Sequence, residues 1–242
     1  MFGLEFLMAG WLTVQQNPNI EQVRQEISCQ LKKSPQINVI PSKSRVRYDF
    51  TRSKADLNKV DVDTVSPYGP QHKTEVSGLM SGSIQVKHEM SFMHELYERL
   101  DKGCLFINSL DIEVHIEPVV YVASEYPKGT CMHNAVLTHE HKHVKVDRVI
   151  VNKYVKIIGQ AMKSVINTQG SAFGPYELDR LPHVQNNIQN SLNKVLKKYN
   201  DKMNEERREK QQAVDSLEEY ESIGARCPDK HKYEGRRVKH MH

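Results

Sequence analysis

The run His139-Glu140-His141-Lys142-His143 matches the pattern H-E-x-x-H, two histidines four residues apart with a glutamate directly after the first. On a helix, residues four apart share a face, so the imidazoles of His139 and His143 can grip one metal ion. Zinc suits such nitrogen donors and keeps a position for water when only three protein ligands are present. Glu140, beside His139, can take a proton from that water without being a ligand itself. Residues of these types at this spacing point to zinc-assisted hydrolysis of a peptide bond. A five-residue pattern in a chain with 12 histidines also has plainer explanations, a surface patch of imidazoles or a structural metal site.

The setting favours a buried helix. Thr130, after Lys128-Gly129, is a capping residue, and Ala135, Val136, Leu137, Val144, Val146, Val149, Ile150 and Val151 supply apolar positions around the motif. His141 and Lys142 fall on other faces and read as rim or solvent residues. His133 reads as structural or as part of a cleft wall.

Catalytic zinc usually takes three protein ligands, so the two histidines need a partner. The helix with the motif runs from about Thr130 to about Ile166, and the stretch 167–175 breaks it. A second helix extends from Leu181 or Pro182 to about Tyr220, with Val184, Ile188, Leu192, Val195, Leu196 and Tyr199 on its apolar stripe. Both helices advance about 1.5 Å per residue, so residues equidistant from the turn lie side by side. A turn centred near Phe173 or Gly174 places Glu205 and Glu206 opposite the motif. Glu205 is the expected third ligand. Glu206, Glu209 and Asp147 are the alternatives, with Glu209 and Asp147 better suited to orienting a ligand or forming an ion pair. The run Asn204 to Lys210 also has the composition of a solvated helix face.

Ahead of these helices the pattern is β. Ile37 to Pro41 and Arg45 to Phe50 read as strands, a short helical turn falls around Ala55-Asp56-Leu57, and Ser66 to Pro70 is a turn. Thr74 to Glu89 alternates into a hairpin, and 91–102 reads as a loop or helical turn. The segment from Cys104 to Tyr121 puts Leu110, Ile112, Val114 and Ile116 on one face and Asp111, Glu113, His115 and Glu117 on the other. Before them all, Ile20, Val23, Ile27 and Leu31 have helical spacing within 15–35.

With 242 residues, 38% hydrophobic side chains and a net charge of +4, the chain is expected to be soluble, with no role in nucleic-acid binding beyond a basic stretch at Gly235 to His240. Its mean hydropathy is −0.63. No stretch approaches the roughly 20 apolar residues of a membrane span. Met1 to Leu12 is apolar and reads either as a truncated signal peptide or as an ordinary segment. The four cysteines, Cys29, Cys104, Cys131 and Cys227, lack the spacing of a metal knuckle and allow two disulfides. Cys104 opens a strand and Cys131 opens the motif helix, so a Cys104–Cys131 bond would join sheet to helix, leaving Cys29 with Cys227.

The Val46-Arg47-Tyr48-Asp49 strand, the strand led by Cys104, the Leu137-Thr138-His139-Glu140-His141-Lys142-His143 helix and the stretch starting at Tyr199 occur in an order that resembles a bacterial family of predicted secreted zinc proteases, a domain of unknown function. The resemblance runs from about Arg45 to Asp215. It implies a metallopeptidase with an envelope or extracellular location. Near Tyr199 the family pattern is similar to Y-D-x-x-T-x-H-G, whereas this chain has Asn200, Met203 and Glu205 at the aspartate, threonine and histidine positions. The matched register thus also leads to Glu205.

The expectation is an α+β fold, a small, mostly antiparallel sheet followed by a long antiparallel helical hairpin carrying the motif. An N-terminal segment spans 1–35, a zincin-like metallopeptidase domain 36–222 and a polar tail 223–242. The expected activity is a secreted or periplasmic zinc metallopeptidase, with His139, His143 and Glu205 on zinc and Glu140 as general base. Its partner is a peptide or protein substrate lying along an edge strand, with Cys104 to Tyr121 as the candidate. The competing expectation is a non-catalytic envelope binding protein with a structural metal or none.

Overall fold

The computed structural model describes residues 27–61, 64–68 and 75–227. Its centre is the strand β4 (Lys102–Val122), in which every second residue from Leu110 to Val122 is buried. That alternation is the period of a strand with one face against a core. On one side β4 pairs along its whole length with β3 (Gly78–Tyr97), antiparallel. On the other side three shorter strands follow one another along it. β1 (Gln36–Lys43) and β2 (Arg47–Asp49) run parallel to it, and β5 (Ala172–Glu177) antiparallel.

The sheet is therefore mixed and five-stranded, which corrects the expected small, mostly antiparallel sheet. Alternation of side chains reports which face is buried and carries no information on strand direction, so the parallel pairing of β1 and β2 was not legible. β3 also continues through 91–97, where a loop or helical turn was expected, before a 3₁₀ turn at Glu98–Leu100.

Helix α1 (Lys54–Leu57) is one short turn capped by Ser53. Helix α2 (Cys131–Gln169) begins where Thr130 accepts a hydrogen bond from the His133 amide, as its sequence position required. It ends at Gly170, whose φ of 85° is the left-handed conformation that glycine adopts without strain. Helix α3 (Leu181–Val214) returns antiparallel along α2. The second helix does not continue to Tyr220. It stops at Val214, and Ser216 starts the separate helix α4 (Leu217–Arg226) by accepting from the Glu219 amide.

α2 lies across β1, β3 and β4, and α3 packs along it. The main core joins Ile112, Val114 and Ile116 of β4 to Ile158 and Met162 of α2 and Leu192 and Met203 of α3. A smaller cluster around Leu57, Val122, Met132 and Val136 closes the motif end of α2.

The disulfides are Cys29–Cys104 and Cys131–Cys227, with Cα separations of 5.5 and 5.6 Å. The expected Cys104–Cys131 pairing is thus corrected. Cys131 sits at the motif end of α2, where α4 returns the chain and delivers Cys227. Cys104 lies at the opposite end of β4, beside β5, where the segment before β1 brings Cys29. Both bonds tie residues outside 36–222 to the body. Among the described part of the expected helix at 15–35, residues 27–35 are not helical. The earlier part of that helix, the apolar Met1 to Leu12 and the basic stretch at Gly235 to His240 lie outside the described residues.

Candidate metal centre

His139 and His143 point inward from α2, 6% and 7% exposed, with their rings 4.9 Å apart. The residue that meets them is Asp215, in the bend between α3 and α4. His139 Nε2, His143 Nε2 and Asp215 Oδ1 form a near-equilateral triangle, with sides of 3.1, 3.1 and 3.2 Å. Ligands about 2.0–2.2 Å from a tetrahedral zinc lie about 3.3 Å from one another. The three atoms fit one divalent ion with almost no rearrangement, and among the described residues this buried cluster is the group that could hold a metal.

The structure does not bring Glu205 to this cluster. It is exposed on α3. The reason is the length of the turn. Residues 170–180 hold β5 and a 3₁₀ turn rather than a tight loop, so His143 faces Gln211 and His139 faces Asp215. That centres the hairpin at residue 177. Moving the centre by three or four residues moves the counterpart of the motif by about twice that, roughly two helical turns. Glu206 pairs with Lys153 at 2.6 Å and accepts from the Tyr154 hydroxyl, and Glu209 is exposed. Asp147 is fully buried and held by Arg207 and Gln211. A signal for Asp215 was present in Ser216-x-x-Glu219, a capping-box pattern that marks a new helix and hence a break just before it.

Glu140 is 4% exposed and lies beside the triangle in a cleft of about 270 Å³. Burial pushes its carboxyl up to about 7, against the charges of His143 and His139 and a hydrogen bond from the Met80 amide. The strand passes so close that a Cβ on Gly78 would lie 2.3 Å from Val136 Cγ1 and 2.8 Å from Glu140 Oε1. Only glycine fits there. Burial works to raise the Asp215 pKa, but hydrogen bonds from His139 and His143 outweigh it and hold the carboxyl below its ordinary value. The Thr64 side chain adds a further hydrogen bond to it. Tyr220, which lines the cleft 6.0 Å from the His139 ring, is pushed up to about 12 by burial and by the negative charges of Asp215 and Glu140.

The remaining histidines of the motif region are accounted for locally. His133 is buried against Phe50 and its Nδ1 meets the Tyr126 carbonyl. His141 is exposed and meets the Tyr48 hydroxyl at 3.0 Å. Lys142 pairs with Glu219, whose Oε1 is also 3.5 Å from His139 Nδ1. The Cys104 to Tyr121 segment lies within β4 and is flanked on both edges, so it has no free edge for a peptide. The strand that lines the cleft is β3, at Gly78 to Gly82.

Fold and cluster together define a mixed-sheet α+β protein with a candidate metal centre between a helical hairpin and one edge of the sheet. Comparison of the chain with models of protein families, with curated proteins and with solved structures finds no match. The resemblance to secreted zinc proteases rests on its motifs alone. Two disulfides, and no helix among the described residues long and apolar enough to cross a membrane, are compatible with a secreted or periplasmic chain.

Proposed function

We propose that this chain is a zinc metallopeptidase in which His139, His143 and Asp215 hold the ion and Glu140 is the general base. The observation that carries the reading is the convergence of three buried ligand atoms beside a buried glutamate in one cleft. Three protein ligands rather than four is the pattern of catalytic zinc. Zinc held there supplies Lewis acidity, which polarises a carbonyl and makes water nucleophilic near neutral pH. Glu140 accepts the proton of the attacking water and passes it to the leaving amine, a task suited to a carboxyl raised by burial. An extended peptide lies along Gly78 to Gly82 of β3, beside Glu140. Secretion or export to a periplasm agrees with both disulfides.

The test starts with zinc content by elemental analysis, on protein without a His tag, for the wild type and a His139→Ala, His143→Ala variant. About one zinc per chain is expected in the wild type and none in the variant. Glu140→Gln should then keep its zinc while hydrolysis of a fluorogenic protein substrate falls by about 10²–10⁴-fold. A wild type that takes up no zinc would hand the cleft to the non-catalytic binding reading. Unchanged hydrolysis by the zinc-loaded Glu140→Gln variant would refute the mechanism.

A further inference from the structure

Behind His143 runs a chain of buried polar groups that the hydrolytic reading leaves unexplained. Asp147, one turn further along α2, has no exposed surface. Its carboxylate accepts from Arg207 Nε at 2.7 Å, from Arg207 Nη2 at 3.2 Å and from Gln211 Nε2 at 2.7 Å. Gln211 Nε2 also donates to the His143 carbonyl at 3.2 Å. Both partners of this NH₂ group are acceptors only, so the Gln211 amide has one permitted orientation. Its Oε1 therefore faces His143 Nδ1, 2.6 Å away. An amide oxygen can only accept, so Nδ1 carries the proton. The hydrogen bond to Asp215 uses a proton on Nε2; when a cation displaces that proton, the imidazole left protonated at Nδ1 has its lone pair on Nε2, the nitrogen that faces His139 and Asp215.

We infer that Gln211, clamped by Asp147 and Arg207, is a positioning residue that holds His143 in the Nδ1–H tautomer and so presents Nε2 to a divalent cation. The inference rests on the metal-site reading and adds the device that prepares one ligand. A carboxylate at position 211 would face Asp147 with like charge. The neutral amide avoids this, leaving the negative charge one residue further back, where Arg207 balances it. Arg207 Nη2 also reaches the Gly82 carbonyl at 3.2 Å, which ties the ligand's support to the strand lining the cleft. His139 is supported differently, by the carboxylate of Glu219 with Lys142 upon it.

The test uses the full chain with two readouts, zinc affinity by competition with a chelating dye and the imidazole ¹⁵N shifts of the zinc-stripped protein at alkaline pH, where His143 is neutral. Gln211→Leu keeps the shape of the side chain and removes its acceptor. Zinc binding should weaken about 10–100-fold, and the His143 signals should leave the Nδ1–H pattern. The double variant Asp147→Asn, Gln211→Glu moves the carboxylate forward while keeping the net charge; it returns an acceptor to Nδ1 but loses the hydrogen bond to the His143 carbonyl, and should restore the tautomer and part of the affinity. Wild-type affinity and an unchanged tautomer in Gln211→Leu would overturn the inference. If Gln211→Leu does not fold, the double variant decides alone, and loss of the Nδ1–H tautomer there overturns it. A wild type that binds no zinc but changes tautomer on Gln211→Leu would remove the metal-site reading and leave the positioning of His143 standing.

Discussion

The two halves of α2 bury their inner faces alike but with opposite chemistry. From Ile150 to Ile166 the buried residues are aliphatic or methionine apart from Tyr154, whose hydroxyl donates to the Lys202 carbonyl and to Glu206. From His133 to Asp147 they include His133, His139, Glu140, His143 and Asp147. Helical periodicity predicts which residues face inward in both halves. It does not predict that five titratable side chains can be kept from water in one of them. Each such group costs free energy unless it is paired, and here each has a partner, most of them from other elements: the Tyr126 carbonyl, Asp215, the Met80 amide, Gln211 and Arg207. The distal half holds the fold together, and the motif half spends part of that stability on an organised polar site.

This contrast can be broken by substitution. Ile158→Ala removes a fully buried side chain from the distal half. It should cost about 2–5 kcal/mol by denaturant unfolding while zinc stoichiometry stays at its wild-type value. Loss of zinc as well would show that the halves are not separable. Asp215→Ala acts in the motif half and should weaken zinc binding by more than the about 100-fold ceiling typical of outer-shell changes. Glu205→Ala should leave zinc binding unchanged. The reverse result in a titration would refute the hairpin register of the structure.

Gly78→Ala brings a methyl group onto Val136 and Glu140. A loss of about 1–3 kcal/mol is expected, together with slower turnover as Glu140 is displaced. A variant as stable and as active as wild type would show that β3 does not set the position of Glu140.

The smallest effect concerns pH in zinc-stripped protein. Burial works to lower the His143 pKa, but the hydrogen bond to Asp215, the charges of Glu140 and Asp215 and the Gln211 contact raise it above its ordinary 6.5. The proton then adds stability that is fully present below that value and is lost as pH rises through the raised folded value. Zinc takes the place of that proton, so the rise in Tm on adding zinc should grow across the same interval. A zinc-induced shift in Tm that is flat with pH would exclude a titrating His143.

Local chemistry made much of the chain legible. Thr130 and Pro182 mark helix starts, Leu110 to Ile116 alternate as one strand does, and His139 and His143 share a face because 3.6 residues make a turn. These are properties of neighbours in sequence. The third ligand was not of that kind, because the counterpart of His139 depends on how many residues the chain uses to turn between two helices. Here β5 occupies that turn by pairing with β4, a contact made across about 70 residues of sequence. The parallel pairing of β1 with β4 and the joining of Cys131 to Cys227 are decided in the same way. By itself the sequence determined which helix carries the histidines and which face they share. Only the tertiary structure decided that Asp215 meets them, because that meeting is set by the packing of elements distant in sequence.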